Sequence, residues 1–140
     1  MDRVTVAWNG KRRFVAWDEA GHGVVMDAPG EHGGDGSGVR PLEAVLYALG
    51  GCTGIDVVAI LQKQRQEVRS LTVTVNAEQR EERPKRYDRI HVVYEVGGKD
   101  IKRSAVERAV SLSEEKYCSV RAMFDPSIQL TSEIRIVDME

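Results

Sequence analysis

Cysteine is scarce in this chain: 140 residues contain two, Cys52 and Cys118. Two cysteines close at most one bridge, which excludes the disulfide frameworks of small secreted domains. There is also no excess of charge of one sign. Twenty Lys and Arg against 22 Asp and Glu leave a net charge of −2, which argues against nucleic acid or an anionic membrane as the main partner. Histidine is nearly absent, and His22, His32 and His91 have no ligand spacing, so no metal site is expected. No secretory leader opens the chain, because Met1-Asp-Arg-Val-Thr-Val alternates like a strand and has no apolar core region. The expectation is a cytoplasmic protein whose thiols rest reduced until an oxidant reaches them. Only Ala44 to Leu61 is long and apolar enough to be weighed as a membrane span. It carries Asp56 in mid-run and glycines at 50, 51 and 54, which favours a core helix, shared with a second subunit, over a lipid-facing one.

What is present reads as a single α+β domain over residues 1–140 in the order β-β-β-α-β-β-α-β. Val4, Val6 and Trp8 alternate with polar residues, Asn9-Gly10 is a hairpin signal, and Arg13 to Trp17 continues the pattern. Val24-Val25-Met26 supplies a third strand. Pro29 to Gly38 follows, with five glycines in ten residues. It lacks the Lys-Ser/Thr of a phosphate-binding loop, so a mobile or connecting segment is the reading. Pro41 suits the first turn of a helix and Glu43 its positive end. Gly50 and Gly51, poor helix formers beside Cys52, suggest close approach of a backbone or substrate, or tight packing on a sheet. Val68 to Ala77 and Ile90 to Val96 alternate as strands, with Gly97-Gly98 closing the second. Nine charges in the twelve residues from Glu78 to Arg89 mark a solvated hairpin tip. Ser104 to Tyr117 forms a second amphipathic helix ending at Cys118, and Ile128 to Ile136 a last strand.

In a reducing compartment a cysteine pair beside two helices points to redox or catalytic use more than to a staple. A thiol attacks as thiolate and titrates near ~8.5 when free. Cys52 sits mid-helix among apolar residues, which alone makes it inert, so activation requires a cation delivered from elsewhere. Arg12 and Arg13 on the first hairpin and Arg40 before the helix are the candidates, with Glu43 as the orienting carboxylate. Asp56, one turn past Cys52, is able to tune the site or be merely paired or solvated. On residue logic alone the two cysteines are equally well small buried hydrophobes.

The segment Arg40-Pro-Leu-Glu-Ala-Val-Leu-Tyr-Ala-Leu-Gly-Gly-Cys52-Thr-Gly-Ile-Asp-Val, followed some sixty residues later by Ser111-Leu-Ser-Glu-Glu-Lys-Tyr-Cys118-Ser-Val, resembles the OsmC/Ohr family of osmotically induced and organic hydroperoxide resistance proteins. The element order and the glycine-rich segment before Pro41 agree. The resemblance implies an intertwined homodimer with long central helices between sheets. It also implies a thiol peroxidase that needs no cofactor, with Cys52 peroxidatic and Cys118 resolving. Cys52 would be oxidised by an organic hydroperoxide, condense with Cys118 to a disulfide, and be restored by a cellular dithiol. An apolar pocket lined by Leu46, Leu49 and Tyr47 would favour organic peroxides. Two departures stand out. Leu42 follows the helix-opening Pro41 where hydroperoxide-resistance members have a carboxylate, so Glu43 is displaced by about 100° around the helix. Ser119 follows Cys118 where those members often have Pro. These place the chain in an OsmC-like branch. The alternative function is a non-enzymatic module whose apolar dimer cleft binds a small molecule.

Overall fold

A computed structural model describes residues 1–140, which gather into two compact units, Met1–Val45 and Leu46–Glu140. The first is an antiparallel meander of β1 (Val4–Trp8), β2 (Phe14–Asp18) and β3 (Gly23–Met26), in the order β1-β2-β3. The expected hairpin at Asn9-Gly10 is present, but its loop is longer than a two-residue turn. Trp8 pairs with Phe14, and the loop turns through Gly10 and Lys11 at φ 93 and 48. At the next turn the Asp18 carboxylate accepts the N–H groups of Ala20 and His22.

The glycine-rich segment is not a bare connector. It winds about Asp27, which is 2% exposed and accepts from the N–H groups of Ala28, Asp35 and Ser37 and from the Ser37 hydroxyl at 2.7 Å. A buried carboxylate is tolerable only when its lone pairs are satisfied in this way. The Ser37 hydroxyl and N–H together hold the Asp27 pKa down at about 2, against an ordinary 3.8.

The second unit holds most of α1 (Pro41–Lys63), then β4 (Glu67–Gln79), β5 (Tyr87–Lys99), α2 (Arg103–Leu112), α3 (Ser119–Ala122) and β6 (Gln129–Asp138). β4 and β5 form the expected long hairpin, with the charged tip between them. β6 pairs with β5 in parallel, which makes β5 the centre of the sheet and α2 part of the crossover. Gly97 and Gly98 do not end β5; both pair with β4. A Cβ on Gly97 would run into the Ser70 hydroxyl and the Met139 sulfur, and one on Gly98 into the Glu67 carbonyl. These glycines serve close approach within a strand.

Ile90, Val92, Tyr94 and Val96 of β5, Val106, Ala109 and Val110 of α2, and Leu49, Val57 and Leu61 of α1 are among the buried residues of this unit. Each large aliphatic so buried contributes roughly 1.5–3 kcal/mol. α1 buries Leu49, Thr53, Val57 and Leu61 at four-residue spacing, while Tyr47, Gly51, Ile55 and Ala59, spaced alike, are exposed. Its mean hydropathy of 1.9 and its length would suffice to cross a membrane, and 22% of that window is buried. One side of the helix is a core side, and the other is apolar and uncovered.

The Asp27 contacts generate a pH prediction. Because the folded pKa lies below the ordinary value, the stabilisation is present above about pH 3.8 and is lost as pH falls towards about 2. Urea unfolding of wild type and Asp27→Asn should give a stability gap at pH 7 that closes across that window. A gap independent of pH would show that the carboxylate charge plays no part.

Candidate thiol site

Cys52 lies in the middle of α1, half-buried, with Thr53 beside it and Asp56 one turn on. The separation of four places Cys52 and Asp56 on one side of the helix. Cys118 arrives by a different route. The second helix, expected to run unbroken to Tyr117, is regular only to Leu112. It then widens into a single π-helical turn, Ser113–Tyr117, closed by the Cys118 N–H donating to the Ser113 carbonyl at 2.8 Å. Such turns are rare and often occur at functional sites. Cys118 then caps the start of α3, its Sγ accepting from the Arg121 N–H at 3.4 Å.

These placements bring the Cys52 Sγ, the Cys118 Sγ and a carboxylate oxygen of Asp56 within 4.8 Å of one another. Both thiols are free. Cys118 is 6% exposed, and burial pushes its thiol above its ordinary pKa. The Arg121 N–H pulls the other way, while Cys52 and Asp56 add to the upward shift. The buried sulfur therefore remains a thiol at neutral pH, while the half-buried one is the sulfur that a small oxidant can reach.

Around the thiols lies a polar network that sequence reading passed over. Thr53 Oγ1 is 2.9 Å from the Tyr94 hydroxyl and 2.8 Å from Ser113 Oγ, and Ser113 Oγ donates to Asp56 Oδ2 at 2.8 Å. Thr53, Tyr94 and Ser113 are 2%, 1% and 0% exposed. The available signal was that Thr53 and Asp56 are polar residues inside an apolar run. Nothing local marked Tyr94, 41 residues from Thr53, or Ser113 as their partners. Beside Cys118, Arg121 pairs with Glu114 at 3.1 Å, both largely buried.

The glycines before Cys52 divide between two roles. A Cβ on Gly50 would press on Val75 of β4 at 3.3 Å, so this residue is small because the sheet is close. Gly51 faces open space. Leu49 is 2% exposed and belongs to the core, so it does not line an open pocket, whereas Tyr47 is 65% exposed.

Arg12, Arg13, Arg40 and Glu43 belong to the first unit. Within it Glu43 pairs with Arg40 at 3.3 Å. Arg13 is held by the Asn9 side chain and carbonyl and by Asp35, and the Arg12 side chain lies against Gly33. The carboxylate named as orienting partner thus holds Arg40, one of the three candidate arginines. The histidines are dispersed, His22 on Asp18 and His91 between Thr131 and Glu133. A surface hollow of about 370 Å³ over the strand ends, lined in part by Asn76, Glu78, His91 and Thr131, includes neither cysteine.

Comparison with known proteins agrees with this architecture. The model of the family described as OsmC-like protein matches residues 34–133. Protein YhfA of Escherichia coli K12 is 42% identical over 132 residues, covering 94% of this chain and 96% of its own. The crystal structure of a hypothetical protein from Aquifex aeolicus superposes with a TM-score of 0.88 at 32% identity, over 100% of this chain and 98% of that one. An organic hydroperoxide resistance protein of Legionella pneumophila shares the fold at 13% identity, with a TM-score of 0.70 and 96% of each chain covered. By sequence and by fold, this chain belongs to the OsmC-like family.

Proposed function

We propose that the protein is a cysteine-based peroxidase that reduces organic hydroperoxides. The observation that carries the reading is the convergence of Cys52, Cys118 and Asp56 within 4.8 Å. A disulfide needs its sulfurs about 2.05 Å apart, so a modest movement of the segment carrying Cys118 suffices to join them. The half-buried Cys52 attacks the O–O bond, takes the oxygen as sulfenic acid and releases an alcohol. The buried Cys118 thiol then displaces that oxygen as water, and a cellular dithiol reduces the resulting disulfide. The resemblance gives thiolate activation to Arg12 or Arg13 with Glu43 as partner. Single alanine variants at the three positions identify which of them slows oxidation of Cys52. We place the reaction in the cytoplasm, where a dithiol pool is at hand.

The working form in this reading is a homodimer. Its support is the uncovered row Tyr47, Gly51, Ile55 and Ala59 on α1, with Ile55 74% exposed, and the apolar row Val4, Val6 and Trp8 on β1, 69%, 49% and 67% exposed. Apolar faces of this extent mark surfaces that are covered in the working assembly. A second copy supplies the same helix, and self-complementary pairing is the commonest symmetric solution.

Two outcomes are expected. One equivalent of cumene hydroperoxide should convert reduced protein to a Cys52–Cys118 disulfide, read by mass spectrometry, while Cys118→Ser should retain a trappable sulfenic acid on Cys52. If both thiols stay free while the peroxide persists, the peroxidase reading fails and a binding role for the apolar face replaces it. In sedimentation, wild type should run at twice the 15.6 kDa chain mass and Ile55→Glu as a folded monomer; a monomeric wild type would refute the dimer.

A further inference from the structure

Asp56 and the three buried hydroxyls behind it have no part in the reaction as described so far. A chain of such groups has a direction set by proton counting. Ser113 has one hydroxyl proton and gives it to Asp56. At the 2.8 Å contact between Thr53 and Ser113 the donor is therefore Thr53, and at the 2.9 Å contact the donor is Tyr94. All three hydroxyls then point one way, Tyr94 to Thr53 to Ser113 to Asp56, and the chain terminates on the Asp56 side chain. Burial raises the Tyr94 pKa to about 12, which keeps the phenol a donor throughout the neutral range. Ser113 has a second task, since its carbonyl holds the Cys118 N–H at 2.8 Å. One residue thus fixes both the carboxylate and the sulfur that stand within 4.8 Å of each other.

We propose that Asp56 is the proton acceptor for the Cys118 thiol when that thiol closes the disulfide onto an oxidised Cys52, and that the Tyr94–Thr53–Ser113 chain aims the carboxylate. A buried thiol is a poor nucleophile until its proton leaves, and a nearby base supplies that exit. In the step the Cys118 S–H bond breaks and the proton passes to Asp56. The sulfur electron pair forms the S–S bond, and the bond from Cys52 sulfur to its leaving group breaks. When a hydroperoxide was the oxidant the leaving group is hydroxide, which takes the proton back from Asp56 and departs as water. When the oxidant was an aromatic disulfide, an aryl thiolate departs and Asp56 passes the proton on to solvent. The other charged or titrating groups around Cys118 and Tyr94 are Cys52 on α1 and the Glu114–Arg121 pair. The proposal shares with the peroxidase reading the order in which the thiols react, but it does not depend on the peroxide.

The test uses the full-length reduced protein and 5,5′-dithiobis(2-nitrobenzoate) in a stopped-flow spectrometer. Wild type should release two aryl thiolates per chain in two phases, attack at Cys52 and then closure by Cys118. Cys118→Ser removes the second phase and Cys52→Ser both fast phases. In Asp56→Asn the second phase should slow by about 100-fold relative to the first at pH 7. Its rate should also rise with pH more steeply than that of wild type, as the solution replaces the missing base. Ser113→Ala, which keeps the carboxylate and loses its donor, should slow closure to a smaller degree, and it stands in if the Asp56 variant does not fold. Closure at the wild-type rate in either folded variant overturns the proposal, as does a wild type that never releases the second aryl thiolate. A wild type that closes with the aryl disulfide but ignores cumene hydroperoxide leaves Asp56 in place and removes the peroxidase reading alone.

Discussion

The thiol pair depends on how α1 is pinned to the centre of its sheet. Leu49, Thr53, Val57 and Leu61 form the buried row, and Thr53 bonds the Tyr94 hydroxyl of β5 within it. A helix has one rotational setting in which that row faces inward. In that setting Cys52, one place before Thr53, is turned to the margin of the core, half exposed, and Asp56 sits a turn above it. Replacing Thr53 by an apolar residue would leave the Tyr94 and Ser113 hydroxyls with one partner fewer in a dry site, a cost of about 1–3 kcal/mol. The polar network is thus a device for registration as well as for chemistry.

The second thiol is placed by a departure from regularity. Were α2 to continue as an ordinary helix, the residue bonded to the Ser113 carbonyl would be Tyr117; the π turn shifts that bond to Cys118. This one-residue slip puts the Cys118 sulfur at the start of α3 and against α1. The same segment carries the half-buried Glu114–Arg121 pair, and the Arg121 N–H donates to the Cys118 sulfur.

Most of the element order was legible because it rests on local pattern. Period-two alternation marked β1, β2, β4 and β5, and Pro41 with the apolar run marked α1. The parts that failed or went unseen involve contacts distant in sequence. Gly97-Gly98 resembles a strand end until Ser70 and Met139 are seen pressing on it. The segment after Pro29 resembles a connector until Asp27 is seen gathering its N–H groups. In the thiol site the two cysteines were found from their motifs, and Asp56 was noticed without a role. Ser113, Thr53 and Tyr94 carry no signature, since their significance arises only when three elements meet. Glu43 illustrates a further difficulty: a helix start offers both Arg40 and more distant arginines, and spacing alone does not choose between them.

The proposed chemistry requires that the adjacent thiols turn over an organic hydroperoxide. The most direct measurement is the consumption of cumene hydroperoxide in large excess over protein, with a dithiol such as dihydrolipoamide as the only reductant. Wild type should consume many equivalents per chain and Cys52→Ser none above background. Consumption that stops at one equivalent with the dithiol still present, or that survives the loss of Cys52, would contradict that chemistry.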